Sequence, residues 1–558
     1  MAIKGLEALE NSMDIQAMKE RIKKAVAEGD IDVGGIQFEY PADLSHGDLS
    51  TNIAMVRAGQ TGVAPKEIAE KIVSLLHDIE GIEKVEIADP GFINFYFTNG
   101  FFAENINAVN KMKEKWGKND LHNGKKIMVE YTDPNPFKVF HIGHLMSNAI
   151  GESIARLIEF AGADVKRSNY QGDVGPHVAK AIWGKKTNPE LSWGEAYAFG
   201  AQYYEDNKDE IDAINKSVYE KDDQEINQVY EKGRQESLDE FEKIYKILGT
   251  KFDYYFFESD TAPIGVEIVK GHPEVFEESD GAVVYKGEQD GLHTRVFITK
   301  NGLPTYETKD LGLIKLKDET EKCDLSISVT AQEQKEYFKV MLAAAKRVMP
   351  ELAEKIVHIA HGMMRLPSGK MSSRTGDVIS GESLIEEMTK KALERSSESR
   401  SEDSSVLAER VAVASIKYQI LKQSAGKDII FDEERALSIE GDSGPYLQYT
   451  YARTQAILKK AKEKGIKVAA DTGKEANEVS RTLYRFPDSV ERATKEYEPH
   501  HVTVFLTNLA SVFNSWYAQE QILDGTKDAA HKVALTAAVA HTLKNGLWLL
   551  GIEAPERM

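Results

Sequence analysis

The sequence predicts a multidomain α/β protein with a small N-terminal α/β domain, a doubly wound parallel-sheet domain and an all-helical C-terminal domain. Three observations carry this expectation. At 558 residues the chain exceeds what one hydrophobic core usually organises. Between residues 127 and 170 a strand-like run, a helical run and a second strand-like run follow one another, which is the pattern of a βαβ unit. From residue 406 almost to the end the apolar spacing is helical.

Residues 17–27 and 65–76 read as helices, and 85–87 and 92–97 as strands split by the turn pair Pro90 and Gly91. The charged, glycine-punctuated run 111–123 reads as a boundary, giving an N-terminal domain of residues 1–115. The second domain, residues 116–430, opens with a strand at 127–131, a helix at 143–161 and a strand at 164–170. An insertion near residues 185–265 interrupts it; over 201–245 it carries 14 acids against 6 bases, the signature of a solvated helical face. Further strands are expected at 281–285, 294–299, 325–329 and 356–360, alternating with helices such as 334–348. The polar string at 396–405 reads as a linker or exposed loop. Helices at 406–425, 446–464, 475–485, 501–517 and 529–549 complete the chain, and residues 431–558 are assigned to the C-terminal domain.

Composition narrows the function classes. With 41% hydrophobic and 29% charged residues the chain is globular rather than disordered. No apolar run approaches the roughly 18 residues of a membrane span, and the N-terminal residues lack a signal-peptide core. A cytoplasmic protein with no membrane partner is therefore expected. Cys323 is the only cysteine, so neither an intramolecular disulfide nor a thiolate-rich zinc site can form, and no resident metal is expected. A net charge of −20 argues against coating nucleic acid through bulk charge but permits local basic patches.

The sharpest string is Pro134-Asn135-Pro136-Phe137-Lys138-Val139-Phe140-His141-Ile142-Gly143-His144, at the junction of the first strand and first helix of the βαβ unit. There a parallel sheet opens its crevice and a helix N-terminus offers unpaired N–H groups to an anion. His141 and His144 share one face of the turn, and Gly143 permits close approach to the backbone. Alone, such a pair equally suits two structural histidines or half a metal site. A second string, Ser368-Gly369-Lys370-Met371-Ser372-Ser373-Arg374, offers a lysine point charge in a small-residue loop, suited to a polyphosphate.

Together these strings resemble the HIGH and KMSKS signatures of class I aminoacyl-tRNA synthetases. Within that class the resemblance narrows to the arginyl-tRNA synthetase family and covers essentially the whole chain. It rests further on Gly47-Asp48-Leu49-Ser50-Thr51-Asn52, on Gly172-Asp173-Val174-Gly175, on Tyr446-Leu447-Gln448-Tyr449-Thr450-Tyr451-Ala452-Arg453, and on the terminal Pro555-Glu556-Arg557-Met558.

The resemblance implies a Rossmann-type catalytic domain, an N-terminal domain at the outer corner of tRNA and a helical anticodon-binding domain. It implies ligation of L-arginine to tRNA-Arg through an arginyl-adenylate, with ATP accompanied by Mg2+ as substrate. Catalysis falls to His141, Gly143, His144, Lys370, Met371 and Ser372, and ATP binding to Pro136, His141, Gly143, His144 and Lys370. The arginine pocket falls to Glu130, Asn135, Tyr306, Asp310 and Gln334, with Glu258 as a second carboxylate. Asp310 is expected on the guanidinium with Tyr306 beside it, while Asn135 and Gln334 orient the α-amino end.

For tRNA the implied contacts are Tyr449, Arg453 and Met558, with Tyr451, Trp516 and Tyr517 as possible stacking platforms. Residues 451–467 carry six bases against one acid, which also fits a solvated helix end whose aromatics are core. Departures from the family pattern are Tyr337, where many relatives have histidine, and Ser373 with Arg374 in the second signature; Tyr337 receives no role. Asp133 is read as incidental. A monomer is expected. The rival readings are a class I synthetase for another amino acid and a non-catalytic tRNA-binding relative.

Overall fold

The computed structural model describes residues 14–76, 78–365, 367, 380–395 and 402–558. Its first unit opens with α1 (Ile15–Ala27), whose N-terminus is capped by the Asp14 carboxylate accepting from Ala17 N–H at 2.8 Å. The strands β1 (Phe38–Glu39), β2 (Leu49–Thr51), β3 (Ile82–Ala88) and β4 (Phe92–Phe97) form an antiparallel sheet in the order β1-β2-β4-β3. Helices α2 (Ile53–Thr61), α3 (Pro65–Leu75) and α4 (Asn99–Met112) complete it. Ile22, Leu49, Phe95, Phe97 and Phe101 form its core, and one member of that core, Tyr484, arrives from far downstream.

The second unit starts with β5 (Lys126–Glu130), α5 (Ile142–Phe160) and β6 (Asp164–Gln171). Four helices follow before the chain returns to the sheet: α6 (Pro176–Thr187), α7 (Trp193–Gln202), α8 (Lys208–Glu220) and α9 (Gln224–Leu248). Next come β7 (Tyr254–Phe257), α10 (Glu258–Gly271), β8 (Glu277–Ser279), β9 (Ala282–Tyr285) and β10 (Arg295–Ile298). Then α11 (Tyr306–Thr320), β11 (Leu325–Ala331), α12 (Lys335–Val348) and β12 (Ile356–His361) close the α/β unit.

The central sheet is parallel and five-stranded, ordered β12-β11-β5-β6-β7. Because β6 and β11 lie on opposite sides of β5, the direction of winding reverses there and a crevice opens beyond the strand C-termini. Two expectations need correction. The strands expected at 281–285 and 294–299 are β9 and β10, which pair antiparallel in a separate three-stranded sheet with β8 rather than joining the central one. The edge strand β7 had no counterpart in the sequence reading; its aromatic run directly precedes a helix and carries no turn signal of its own.

Helix α5 is buried along nearly its whole length: Ile142, Leu145, Met146, Ile150, Ile154, Leu157 and Ile158 are all covered, and so is the polar Glu152, which pairs with Arg156 and Arg167. Such a helix needs cover on every side. The sheet supplies one side. The other comes from α13 (Gly381–Arg395), α14 (Glu402–Leu421), α15 (Gly444–Glu463), α16 (Glu478–Leu483), α17 (Phe486–Glu496), α18 (His500–Gln519) and α19 (Ala529–Leu549), which share one continuous core with α5. The polar string's residues 396–401 lie outside the described residues, and α14 begins directly after them. Among the described residues no helix is long and apolar enough to cross a membrane.

The first unit is fastened to the helical one. Asp48 is fully buried, accepts from Phe97 N–H at 2.8 Å and forms an ion pair with Arg481. Tyr484 donates its hydroxyl to the Asp48 carbonyl, and Asp488 takes hydrogen bonds from Gln16 and Tyr40 and pairs with Lys19. Removing the cation from a buried pair leaves an uncompensated charge. Arg481→Met should therefore destabilise the protein by about 3 kcal/mol in denaturant unfolding, while Lys23→Ala, in an exposed pair with Glu20, should change little.

Candidate active site

The site is built on the segment that joins β5 to α5. Three of its residues, Thr132, Asp133 and Phe137, have positive φ, and hydrogen bonds with side chains of α5 and α9 and with the backbone of β6 and the turn after it hold that conformation. Thr132 N–H donates to Ser147 Oγ at 2.9 Å and Phe137 N–H to Ser237 Oγ at 3.0 Å. Asp133 accepts from Tyr170 N–H at 2.8 Å, and Asn135 Oδ1 accepts from Gly172 N–H at 3.0 Å. A Cβ on Gly172 would lie 2.5 Å from Asn135 Oδ1 and 3.3 Å from the Glu258 carboxyl carbon, so only glycine leaves room for the Asn135 side chain there. Pro136 is buried between Asn135 and Phe137.

His141 is the N-cap of α5, and the two histidines cap each other's turn. Gly143 N–H donates to His141 Nδ1 and His141 N–H donates to His144 Nδ1, both at 3.1 Å. A Cβ on Gly143 would lie 2.9 Å from the His141 ring, so glycine is what allows the ring to fold onto its own helix start. The rings stack at 3.6 Å with an interplanar angle of 17°. An Nδ1 that accepts a backbone N–H carries no proton, so each ring is neutral and presents Nε2–H outward. Burial and then the Lys138 ammonium push His141 down to about 4; burial and the neighbouring His141 hold His144 well below the usual histidine range. Two uncharged donors at a helix N-terminus suit phosphate oxygens.

The chain returns to this point after the second signature: Ser380 bridges His141 and Gly381 N–H donates to Phe140 O at 2.6 Å. Lys370, Met371 and Ser372 of that signature, with Ser373 and Arg374, lie outside the described residues.

Beside the histidines the fold gathers carboxylates. Glu130, at the C-terminal end of β5, is buried and pairs with Lys317 at 2.7 Å. Glu258, the first residue of α10, is buried and pairs with Lys309 at 2.6 Å. Its charge is thereby already matched, which sets it apart from Asp310. Asp310 is buried on α11 and lines one cavity of about 50 Å³ with Glu130, Lys317, Leu313, Phe338 and Met341. Burial, reinforced by Glu130 and Glu258, pushes its carboxyl up to about 8, against the lowering effect of Tyr337 and Lys317. Tyr306, the first residue of α11, and Gln334, in the turn after β11, are exposed at the rim. Tyr337 departs from the expectation of no role, because its hydroxyl donates directly to Asp310. Asp133 is likewise no incidental charge: its Tyr170 bond pins the loop.

Asp173 is a structural hub. Fully buried, it accepts from Tyr230, Arg234 and Ser259 at 2.8–3.0 Å and so ties α9 to the start of α10.

Between α15 and α18, Arg453 is bonded to Asn514 and its guanidinium lies 4.9 Å from the rings of both Tyr449 and Tyr517. Tyr449, Tyr517 and Met558 are exposed, as are Lys459, Lys460, Lys462 and Lys464. Tyr451 is buried in the core and Trp516 packs against it, so these two are not the free stacking platforms that the sequence allowed.

A reversing parallel sheet, a histidine-capped helix at its switch point and a helical domain sharing that helix's core define a class I aminoacyl-tRNA synthetase. Comparison with known proteins narrows the class. Profiles for the class I (R) catalytic domain, the DALR anticodon-binding domain and the arginyl-tRNA synthetase N-terminal domain match residues 105–433, 447–558 and 15–97. The arginine–tRNA ligase of Clostridium perfringens is 30% identical over 97% of this chain and 99% of its own; that of Treponema denticola is 30% identical over 94% and 95%. The chain belongs to the arginyl-tRNA synthetase family. The fold is shared with the Thermus thermophilus arginyl-tRNA synthetase, at TM-score 0.81 and 24% identity over 97% of this chain and 100% of that one. It is also shared with the Plasmodium falciparum enzyme, at TM-score 0.77 and 21% identity over 97% and 99%.

The neutral state of the two histidines is directly measurable. In an NMR titration of imidazole-labelled protein, His141 and His144 should stay in the Nε2–H form from about pH 8 down to about pH 5. A midpoint near the ordinary histidine value for either ring would contradict the capping geometry.

Proposed function

We propose that the chain ligates L-arginine to tRNA-Arg in the cytoplasm, with ATP as the energy source. The observation that carries the arginine reading is the buried Asp310 carboxylate, which shares its cavity with Glu130 and has no cation of its own within hydrogen-bonding distance among the described residues. A guanidinium supplies that cation and donates in a fork matching a carboxylate. Tyr306 flanks the guanidinium, while Asn135 and Gln334, with Glu130, hold the α-amino end. Glu258, matched by Lys309, shapes the pocket wall through Asn135 and Gly172.

In the first step an arginine carboxylate oxygen attacks the α-phosphorus of ATP and pyrophosphate leaves. His141 and His144 donate Nε2–H bonds to phosphate oxygens, and Pro136 and Gly143 let the nucleotide approach the helix N-terminus. Lys370, with Met371 and Ser372, contributes charge and contacts from the second signature. No covalent enzyme intermediate is needed; positioning and electrostatics suffice. Magnesium enters on the nucleotide, since this ion is commonly carried on substrate phosphates.

In the second step the ribose 2′-hydroxyl of the terminal adenosine attacks the acyl carbon, and AMP leaves. Residues 1–115, 116–430 and 431–558 act as tRNA-contacting, catalytic and anticodon-binding domains, with Tyr449, Arg453 and Met558 at the anticodon end.

Arginine-dependent ATP–pyrophosphate exchange tests the reading. Exchange with arginine alone among the amino acids, and only with tRNA-Arg present, is expected; exchange with another amino acid would overturn the pocket assignment. Asp310→Asn should raise the arginine KM about 100-fold, the scale of a truncated buried charge contact, while the ATP KM stays within about threefold.

A further inference from the structure

We propose that Tyr337 is a positioning residue for arginine, whose hydroxyl orients the Asp310 carboxylate toward the substrate guanidinium. The inference rests on the arginine reading above and adds a residue to it.

Among the described residues, Tyr337 is the one side chain that donates a hydrogen bond to Asp310, and it does so at Oδ2 from 27 positions along the chain. Both groups are buried, Asp310 at 9% exposure and Tyr337 at 9%, so neither relies on water to set its direction. The ring cannot swing freely. It lies in the first turn of α12, meets Phe338 edge-on at 5.3 Å and 88°, and has the Arg295 guanidinium 5.9 Å from its centre. Arg295 is itself anchored on Glu307 at 2.9 Å. The phenol is thus held by its own packing, and it transmits that fixed position to the carboxylate.

Orientation matters because a guanidinium recognises a carboxylate by a planar fork, and a carboxylate free to rotate loses that match. Tyr337 has a second effect. Asp310 faces Glu130 of β5, Glu258 of α10, Asp133 of the β5–α5 segment and Tyr170 of β6, with Lys317 of α11 as the nearby cation. In that crowd of acids a donated O–H favours the charged carboxylate, while burial favours the protonated form. Arginine binding must expel the proton, so affinity rises with pH until the carboxyl ionises unaided, at about 8, and then levels off. Removing the O–H moves that plateau to higher pH.

The test is exchange kinetics with tRNA-Arg from about pH 6 to about pH 9.5, a span covering the Asp310 transition, for the wild type, Tyr337→Phe and Tyr337→His. Tyr337→Phe conserves volume and should raise the arginine KM about tenfold at neutral pH, equivalent to one hydrogen bond to a charged group. The ATP KM should stay within about twofold, and the pH at which the arginine KM levels off should move upward. Tyr337→His restores a donor and should recover most of the loss. An unchanged arginine KM and pH profile in a folded Tyr337→Phe overturns the proposal. So do parallel losses for arginine and ATP, or a failure of both variants to fold. Wild-type protein that shows no arginine-dependent exchange overturns the arginine reading itself, which separates the two failures.

Discussion

A helix buried on nearly every side governs this architecture. Because α5 is buried around its circumference, it can exist only between two layers. The parallel sheet covers one side and the C-terminal helices cover the other, so the catalytic and helical units share one core instead of touching across a wet interface. Ser153 on α5 donates to Leu549 O at 2.8 Å, carrying the fixation into the last helix. The helix that carries His141 at its N-terminus is thus anchored in that core. In the function proposed above such anchoring holds the donors in place, since a donor that must reorganise during reaction loses much of its effect.

The pocket next to it follows a different logic. Glu130, Asp133, Glu258 and Asp310 are brought together with little water, an arrangement that costs energy unless cations or protons compensate. Lys317 and Lys309 answer two of the four. Asp133 and Asp310 are left with pKa values raised by burial and by their neighbours, and burial raises Glu258 as well despite Lys309. The cluster is therefore short of positive charge, and in the function proposed above a cationic substrate completes it. In the function proposed above, neutral histidines would meet the anionic end of the reaction and the acid cluster its cationic end.

Much of this was legible from sequence where chemistry is local. The strand–helix junction at 131–144 and a helix expected at 143–161, found at Ile142–Phe160 with His141 as its cap, depend on neighbours within a few residues. What required distant partners was not legible. The periodicity of 281–285 and 294–299 marks strands but does not say which sheet they join. Tyr337 reads as an aromatic on an amphipathic helix until α11 brings Asp310 to it. Along α15 aromatics at 446, 449 and 451 point in different directions, and only the packing of α18 and α19 decides that Tyr451 is core and Tyr449 is surface. The pairing of Glu258 with Lys309 reduces the former's claim as a substrate acceptor, again a fact of tertiary neighbours.

The seating of Tyr484 within the N-terminal core sets an order of assembly. Phe97 and Phe101 lie 5.8 and 5.6 Å from that ring, yet nearly four hundred residues separate them from it in the chain. On a ribosome adding about 5–20 residues per second, the N-terminal unit emerges roughly 20–80 s before the side chain that closes its core. It must wait partly open, with its aromatic cluster uncapped, until the end of synthesis is near. The first domain to be made is therefore among the last to be finished.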